Sequence, residues 1–420
     1  MLTQQAYRYE LKPNNKQRTL LAKHAGAARF AYNWGLARRI KEYKETQKSS
    51  NAIEQHRQLN TLKKTDFPWM YKVSKCAPQE SLRDLDRAFK NFFRSLKSGK
   101  RTGFPKFKKK GIHDSFRLTG SIHVSQALVV LPRIGRIRTK EETALNGHIL
   151  SATVSREADR WFASFSVKRK RGEYNRTVHG PAIGVDVGIN SFCVLSDGMR
   201  IESPKPLEHT LRLLKRRSKQ HSRKTLGSAN RKKSALRLAR LHRRIRNKRK
   251  DFLHKLSTQL AKTKSVVVVE DLNVRGMMQN HYLSRHIADS GWSQFFTMLS
   301  YKTKWYGSRL IKAPKFYPSS KTCCACGSIK PELSLKERQF VCEICGFTID
   351  RDENAARNLE YLSTPLDSKH LTGSTGSSPG SYACGDTSGG GTRQRTLAGP
   401  TSHVSLKQEA DTKYSPGIFG

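Results

Sequence analysis

Apolar and polar positions alternate over residues 7–11 (Tyr7-Arg8-Tyr9-Glu10-Leu11), and the pattern stops at Pro13, which predicts a strand closed by a turn. The period then lengthens. Asn14 or Asn15 can cap a helix through Leu20 and Leu21, and Phe30, Tyr32, Trp34, Leu36 and Ile40 predict a second helix after it. Beyond a linking stretch at Phe67-Pro68-Trp69, Pro78 opens a helix whose Leu82, Leu85, Phe89, Phe92, Phe93 and Leu96 recur at three-and-four spacing, a stripe that predicts burial. Residues 14–98 therefore read as a small helical lobe, and with the basic stretch behind it the lobe extends to residue 110.

Short strand patterns return from residue 115 to 168: Phe116-Arg117-Leu118, the run 127–131, Ile134 to Ile137, 149–154 and 161–167, separated by turn signals such as Gly135 and Gly147. They predict a small β-barrel over residues 111–180. The strand in residues 1–13 is expected to join it, which makes the helical lobe an insertion in the barrel. Further on, residues 182–187 read as an apolar strand, and 192–195 and 200–201 continue a sheet around the turn Ser196-Asp197-Gly198. A helical hairpin follows, with its turn at 225–230 and a seam of Leu238, Leu241, Ile245, Phe252, Leu256 and Leu260 on its second helix. Four consecutive valines, Val266 to Val269, predict a central strand buried on both faces. A polar segment and a long helix around Trp292, Phe295, Phe296, Leu299, Tyr301 and Trp305 occupy residues 281–311, a strand covers 310–312, and a last helix opens at Glu353.

Charge changes this picture from scaffold to binder. Lys and Arg number 80 against 33 acids, a formal net charge of +47 with pI near 10.4, and such an excess calls for a polyanion, nucleic acid before membrane. No run of about 18 apolar residues occurs and residues 1–5 do not read as a signal peptide, so a cytoplasmic protein without membrane contact is expected. The hairpin carries the densest charge: residues 211–256 hold 19 Lys or Arg and one acid, Asp251. With the seam packed on protein, the opposite face is a basic strip in which Arg243, Arg244, Arg246 and Lys248 are candidate phosphate contacts. Lys106, Lys108 and Lys109, interleaved with Phe104 and Phe107, form a basic loop suited to a nucleic-acid backbone. In residues 363–420, Gly, Ser, Thr and Pro make up 32 of 58 positions, which predicts a disordered tail.

Two sets of residues carry chemistry. Cys323, Cys326, Cys342 and Cys345 have the form C-x₂-C-x₁₅-C-x₂-C, each pair followed by a glycine, the pattern of a closed S₄ site for one structural Zn²⁺. Cys76, Cys193, Cys324 and Cys384 fall outside it. The second set is acidic: Asp186 in the strand Gly184-Val185-Asp186-Val187-Gly188, Glu270 after the valine run, and the acids of Asp350-Arg351-Asp352-Glu353-Asn354 at a helix start. An acid at the end of a buried strand is costly unless paired or bound to metal. Acids from two strands and a helix N-terminus are how an RNase H-like fold of the RuvC type holds two Mg²⁺ ions for phosphodiester cleavage.

In order along residues 7–361, the chain resembles the TnpB (OrfB) family of insertion-sequence proteins, related to type V CRISPR effectors. The resemblance is carried by Gly184-Val185-Asp186-Val187-Gly188, the run from Arg243 to Leu256, Ser319-Ser320-Lys321-Thr322-Cys323 and Asp350-Arg351-Asp352-Glu353-Asn354-Ala355-Ala356, with Ala28 to Asn33 and Gly103 to Phe107 beside them. It implies an α+β multidomain protein: a wedge barrel (1–13 and 111–180) interrupted by a recognition lobe (14–110), then a RuvC-like nuclease domain (181–318 and 348–362) interrupted by a zinc ribbon (319–347). It also implies cleavage of double-stranded DNA next to a short transposon-adjacent motif, guided by RNA from the element's own end, with base pairing reading sequence and protein reading shape and the flanking motif. Carried over by motif, the metal ligands are Asp186, Glu270 and Asp352, with Asp352 chosen over Asp350. Lys75 and Gln79, four residues apart near Pro78, are candidates for reading flanking bases, Lys suiting guanine and Gln adenine. The competing expectations are a transposase proper and a DNA-binding regulator of transposition without guided cleavage; loss of an acid would favour the regulator, and all three are present.

Overall fold

In the computed structural model, which describes residues 2–99, 103–170, 180–334 and 336–364, the elements follow in the order β1 (Leu2–Lys12), α1 (Asn15–Thr46), α2 (Ala52–Thr65), α3 (Cys76–Lys97), β2 (Ser115–Leu118), β3 (His123–Ser125), β4 (Leu128–Leu131), β5 (Gly135–Thr139), β6 (His148–Glu157) and β7 (Arg160–Lys170). These strands form one seven-stranded antiparallel sheet in the order β2-β6-β7-β1-β5-β4-β3. The N-terminal strand lies in its middle: β1 pairs with β7 from Leu2↔Lys170 to Leu11↔Trp161 and with β5 at Leu11↔Thr139. The strands expected to form a small barrel thus share one sheet, with β2 and β3 as its two edge strands among the described residues. Helices α1–α3 lie between β1 and β2 in the chain, and α1 and α3 place Leu21, Ala25, Ala28 and Ala77 in the sheet's own core with Phe116, Leu118 and Phe165.

Two expectations for the lobe are corrected. Residues 15–46 form one continuous helix, not two. Asn14 and Gln17 make a reciprocal capping box at its start, and no proline or left-handed residue interrupts it before Gln47. Its buried Ala27, Ala28 and Ala31 and tight Gly35, where an added Cβ would meet Leu82 Cδ2 at 2.7 Å, let α3 approach closely. The apolar stripe of α3 is buried only at its start. Leu82 and Leu85 are fully enclosed, whereas Phe93 and Leu96 are exposed and Phe89 and Phe92 instead hold Phe104 edge-on with ring centroids 5.5 Å apart. Pattern alone does not reveal that the helix outruns the body it packs on.

The second half is built on a mixed sheet of β8 (Ile183–Val187), β9 (Ser191–Leu195), β10 (Arg200–Glu202), β11 (Val266–Val269) and β12 (Arg309–Lys312), in the order β10-β9-β8-β11-β12. β8, β11 and β12 run parallel, and on the other side β9 lies antiparallel to both β8 and β10. Between β10 and β11 stand α4 (Pro206–Ser222) and α5 (Ala229–Thr263); α6 (Val274–Met277), α7 (Ser284–Ser290) and α8 (Trp292–Tyr306) lie between β11 and β12. The long helix expected around Trp292, Phe295, Leu299 and Trp305 is α8, and it starts directly after Gly291, which takes φ +74 and lies against Arg249. Buried Asp289 gathers this region: it accepts from Leu207 and Glu208 N–H at the start of α4 and from Arg249 Nη2 of α5 at 2.7 Å. Buried Lys302 ties α8 to α5 through the His254 carbonyl and the Ser257 and Thr258 hydroxyls, and burial pushes its ammonium down to about 8. A two-stranded hairpin, β13 (Gln339–Val341) with β14 (Thr348–Asp350), leads into α9 (Arg351–Tyr361).

The disorder expected for residues 363–420 falls, from residue 365 on, outside the described residues, as do residues 100–102 of the basic loop. Among the described residues no helix is long and apolar enough to cross a membrane.

Candidate active site

The three acidic motifs meet at one end of the mixed sheet. The parallel register pairs Val269 with Val185, so Glu270 and Asp186 stand side by side at the carboxyl ends of adjacent strands. The strand order reverses between β8 and β11, with β9 and β10 to one side and β12 to the other, the position at which open sheets carry their sites. Helix α9 lies across β8 and β11, with Leu359 packed among Val268 and Ala313, and it brings Asp352 in its first turn to the two strand acids. The approach is close because residue 184 is glycine: a Cβ there would stand 1.8 Å from the Ala356 carbonyl oxygen and 2.7 Å from the Glu360 nitrogen.

Electrostatics follow from that convergence. Asp186 retains some exposure, yet desolvation and then the carboxylates of Glu270 and Asp352 push its acid well above the usual carboxylate range. The two acids of the last motif have different surroundings. Asp350 is the N-cap of α9: one oxygen accepts from Asp352 N–H at 3.0 Å and Glu353 N–H at 3.2 Å, and the other pairs with Arg200 at 2.5 Å. Among the described residues the Asp352 carboxylate makes no hydrogen bond or ion pair. Glu270 accepts from the Ser319 hydroxyl at 2.5 Å through one oxygen.

Ser319 belongs to the segment that joins this centre to the cysteine module. Asn358 donates to the Ser319 carbonyl at 2.8 Å and to the Thr322 carbonyl at 2.6 Å, and Asn354 donates to the Thr322 carbonyl at 2.7 Å while accepting from Cys324 N–H at 3.0 Å. Both asparagines are buried on α9, so the helix that presents Asp352 also holds the first cysteine pair. The sulfurs of Cys323, Cys326, Cys342 and Cys345 all lie within 4.8 Å of one another, with Cys323 to Cys345 at 3.8 Å and Cys326 to Cys342 at 3.6 Å. Ser328 Oγ is 3.1 Å from Cys326 Sγ and from Cys342 Sγ, and this contact is the main cause that pushes the Cys342 thiol down to about 6. Cys324 stands apart, its backbone bound to Asn354 and Tyr361.

The residues expected to meet nucleic acid are spread over several surfaces. Lys75 is exposed at the N-cap of α3 with helical φ and ψ, and Gln79 N–H bonds its carbonyl, so the two share a helical turn with Pro78 tolerated inside it. Lys106 and Lys109 are exposed, whereas Lys108 is engaged: its Nζ lies 4.0 Å from the Tyr32 ring centroid and its backbone exchanges two bonds with Asn33. The basic strip divides as well. Arg243 bonds the Glu157 carbonyl at 3.0 Å and Asp159 at 3.3 Å, Arg246 pairs with Glu157 and Arg240 with Asp159, so these side chains fasten α5 to the turn between β6 and β7. Arg244 and Lys248 remain exposed and free of ion pairs among the described residues. Residue pattern alone missed Gly184, Arg200 and Ser319 as parts of the centre. Ser319 stands in the Ser-Ser-Lys-Thr motif, but its partner Glu270 is 49 positions away and is brought near only by the sheet.

Gly184→Ala is expected to force α9 off β8, lowering stability by about 1–3 kcal/mol as overpacking does and uncoupling Asp352 from Asp186. Gly103→Ala, whose Cβ would meet nothing within 4 Å, should change neither property. Thermal melts and a DNA-cleavage assay on the two variants check this; equal melting temperatures and equal activity would mean the close approach does not position the centre.

Comparison with known proteins agrees with this layout. Three family models match: one described as "Probable transposase" over residues 164–281, a "Cas12f1-like, TNB domain" over 292–359, and a "Helix-turn-helix domain" over 1–48, a span occupied here by a strand and one helix. A relative from Streptomyces pristinaespiralis, named "Putative RNA-guided DNA endonuclease", is 34% identical over 411 residues covering 96% of each chain. InsQ of Escherichia coli (strain K12), given the same description, is 32% identical over 84% of this chain and 91% of its own. The fold is similar to that of Cas12f1 in its complex with sgRNA and target DNA, with TM-score 0.53 at 13% identity over 86% of this chain and 99% of that one. With a relative one-third identical along nearly the whole of both sequences, and acids, cysteines and elements in the family's order, the chain belongs to the TnpB (OrfB) family of insertion-sequence RNA-guided DNA endonucleases.

Proposed function

We propose that this protein cleaves double-stranded DNA next to a short transposon-adjacent motif, directed by a guide RNA from its own element, at a RuvC-like centre formed by Asp186, Glu270 and Asp352. The observation that carries the reading is their convergence: two adjacent parallel strand ends and a helix N-terminus place three acids together, with desolvation already opposing the charge of Asp186. The mixed sheet, in which β9 alone runs against β10, β8, β11 and β12, supports the RNase H-like assignment.

The donor set fits Mg²⁺, which takes oxygen ligands and few of them from protein. Two such ions, bound there, would supply a water of lowered pKa and stabilise the leaving 3′ oxygen. The chain's own residues set the geometry. Asp350, spent on the helix cap and on Arg200, fixes the start of α9 and leaves Asp352 to face the site. Ser319 engages one oxygen of Glu270, which orients the other. Two ions about 3.5–4 Å apart would clamp one in-line phosphate, so the substrate would enter as a single strand, and an R-loop supplies one.

The four cysteines fit one Zn²⁺. A tetrahedral S₄ site with Zn–S near 2.3 Å places sulfurs about 3.8 Å apart, matching the 3.8 and 3.6 Å separations here. We assign the backbone contacts of the guided complex to exposed cations: Lys106 and Lys109 on the loop, Arg244 and Lys248 on α5, with Lys75 and Gln79 left as the candidate readers of flanking bases. Arg243, Arg246 and Lys108 are placed instead in the scaffold, since each already has an intramolecular partner.

Asp186→Ala, Glu270→Ala and Asp352→Asn should each leave no detectable Mg²⁺-dependent DNA cleavage while RNA still co-purifies. Asp350→Ala should chiefly lower the melting temperature, by the loss of a cap worth about 0.5–2 kcal/mol. A fully active Asp352→Asn beside a dead Asp350→Ala would reverse the ligand assignment.

Metal analysis of purified protein should find one zinc per chain, absent from Cys342→Ser and retained in Cys324→Ser. Structural zinc contributes ~10–16 kcal/mol of apparent binding energy in small fingers, so Cys342→Ser should also melt far earlier. Zinc loss in both variants, or none in wild type, contradicts the site.

Replacing Arg244 and Lys248 with Ala should weaken nucleic-acid binding for all sequences alike and reduce the log–log salt slope by roughly 0.7–0.9 for each phosphate that is no longer neutralised. An unchanged slope would return that face to solvent.

A further inference from the structure

Beside Glu270 the surface opens into a cleft of about 450 Å³, walled on one side by Glu270, Asp271 and Met277 and on the other by the turn Pro314-Lys315-Phe316-Tyr317. The two aromatics of this turn are used in opposite ways. Tyr317 is anchored, its ring among Val268, Ala313 and Leu359 and its hydroxyl donating to the Asn358 carbonyl at 3.4 Å. Phe316 is 99% exposed, the most exposed large hydrophobic residue among those described. Its backbone is held at φ +64, and the Tyr317 N–H closes the turn on the Pro314 carbonyl at 3.2 Å. That places Phe316 at the turn position with positive φ, which glycine or asparagine occupies freely and a bulky side chain occupies only at a cost. Folding thus gains nothing from this phenyl ring and is opposed by its backbone. Strain of this kind collects where a side chain serves a ligand.

We propose that Phe316 is a stacking platform for one base of the single DNA strand whose phosphate lies at the acidic centre. This rests on the reading of Glu270 as part of that centre. A base is the occupant that the surroundings select. The cleft has the size of a nucleotide, Leu272, Met277 and Ala313 give it an apolar lining, and Glu270 at its edge is a proposed metal ligand of the centre that holds the reacting phosphate. Exposed Lys315 precedes Phe316 in the chain and lines the cleft, a cation available to the strand's backbone. An aromatic face takes any base, as a cutter guided by pairing elsewhere requires. The anchored Tyr317 and the Ser319–Glu270 bond keep platform and acid in one rigid segment, so a stacked base holds its phosphate in register with the centre. Phe316 is therefore a positioning residue.

The test uses the full chain with its co-purified RNA and single-stranded DNA oligomers, each carrying one 2-aminopurine, with Ca²⁺ in place of Mg²⁺ and no chelator, so that no cleavage intervenes and the zinc stays bound. Stacking on Phe316 should quench the probe at one register. Phe316→Ala should abolish the quench and weaken oligomer binding by about five- to a hundredfold, the range of a single base–aromatic stack; Phe316→Trp should retain both. Phe316→Gly, relieved of the strained backbone, should melt no earlier than wild type and yet cleave more slowly and at scattered positions. Equal quenching and equal binding in wild type and Phe316→Ala would overturn the proposal. Asp186→Ala separates the two readings: it should keep the quench, and if it still cleaves, the assignment of the centre fails while the stacking result stands.

Discussion

Three carboxylates in one cleft repel one another, and the packing of α9 on β8 is what holds them together against that repulsion. The contact is backbone to backbone at Gly184, with the Ala356 carbonyl where a side chain would otherwise stand. Ala355 and Ala356 keep the helix face small, and Leu359 fills the space over β11. The energy for this comes from apolar burial along the helix and the valine strand, which lies a few residues from the charges it restrains. A cation is the natural counterpart to such a site, because desolvation and like charge both oppose Asp186 as an anion.

The same helix links this centre to the cysteine module. Asn354 and Asn358 face the segment from Ser319 to Cys324 and bond three of its backbone groups, while Ser319 reaches Glu270. Buried amides with all these partners specify one arrangement of strand end, loop and helix. Loss of order around the four cysteines would accordingly be felt at Glu270 and Asp352, so a module far from Asp186 in sequence contributes to where the acids stand.

Charge serves two purposes that net charge alone does not separate. Of the arginines on α5, Arg240, Arg243 and Arg246 meet Asp159 and Glu157 from the turn between β6 and β7 and hold the two halves of the chain together. Arg244 and Lys248 on the same helix have no such acid among the described residues and stay exposed. A helix turns through about 100° per residue, so neighbours in sequence point to different surfaces. One run of basic residues can thus act both as a fastening and as a polyanion surface.

The sequence by itself was enough for the α+β character, the acid-bearing motifs and the four cysteines, because each is local: valines at strand period, a C-x₂-C spacing, an acid before an Ala-Ala helix. It also carried the family, through motifs in a fixed order. It misjudged α1, where a run of alanines continues a helix that apolar spacing divides in two, and the far end of α3, where apolar residues outrun the surface they would cover. Tertiary structure alone decided the rest. Asp350 and Asp352 are two residues apart and chemically identical; the motif favours Asp352, and only the folded chain supplies a physical reason, since Asp350 is engaged by the helix cap and by Arg200, 150 positions away. Likewise Arg243 and Arg244 are adjacent cations, separated in role by an acid on another sheet. Spacing encodes what neighbours along the chain can do; which charges are already partnered depends on contacts that only the folded chain creates.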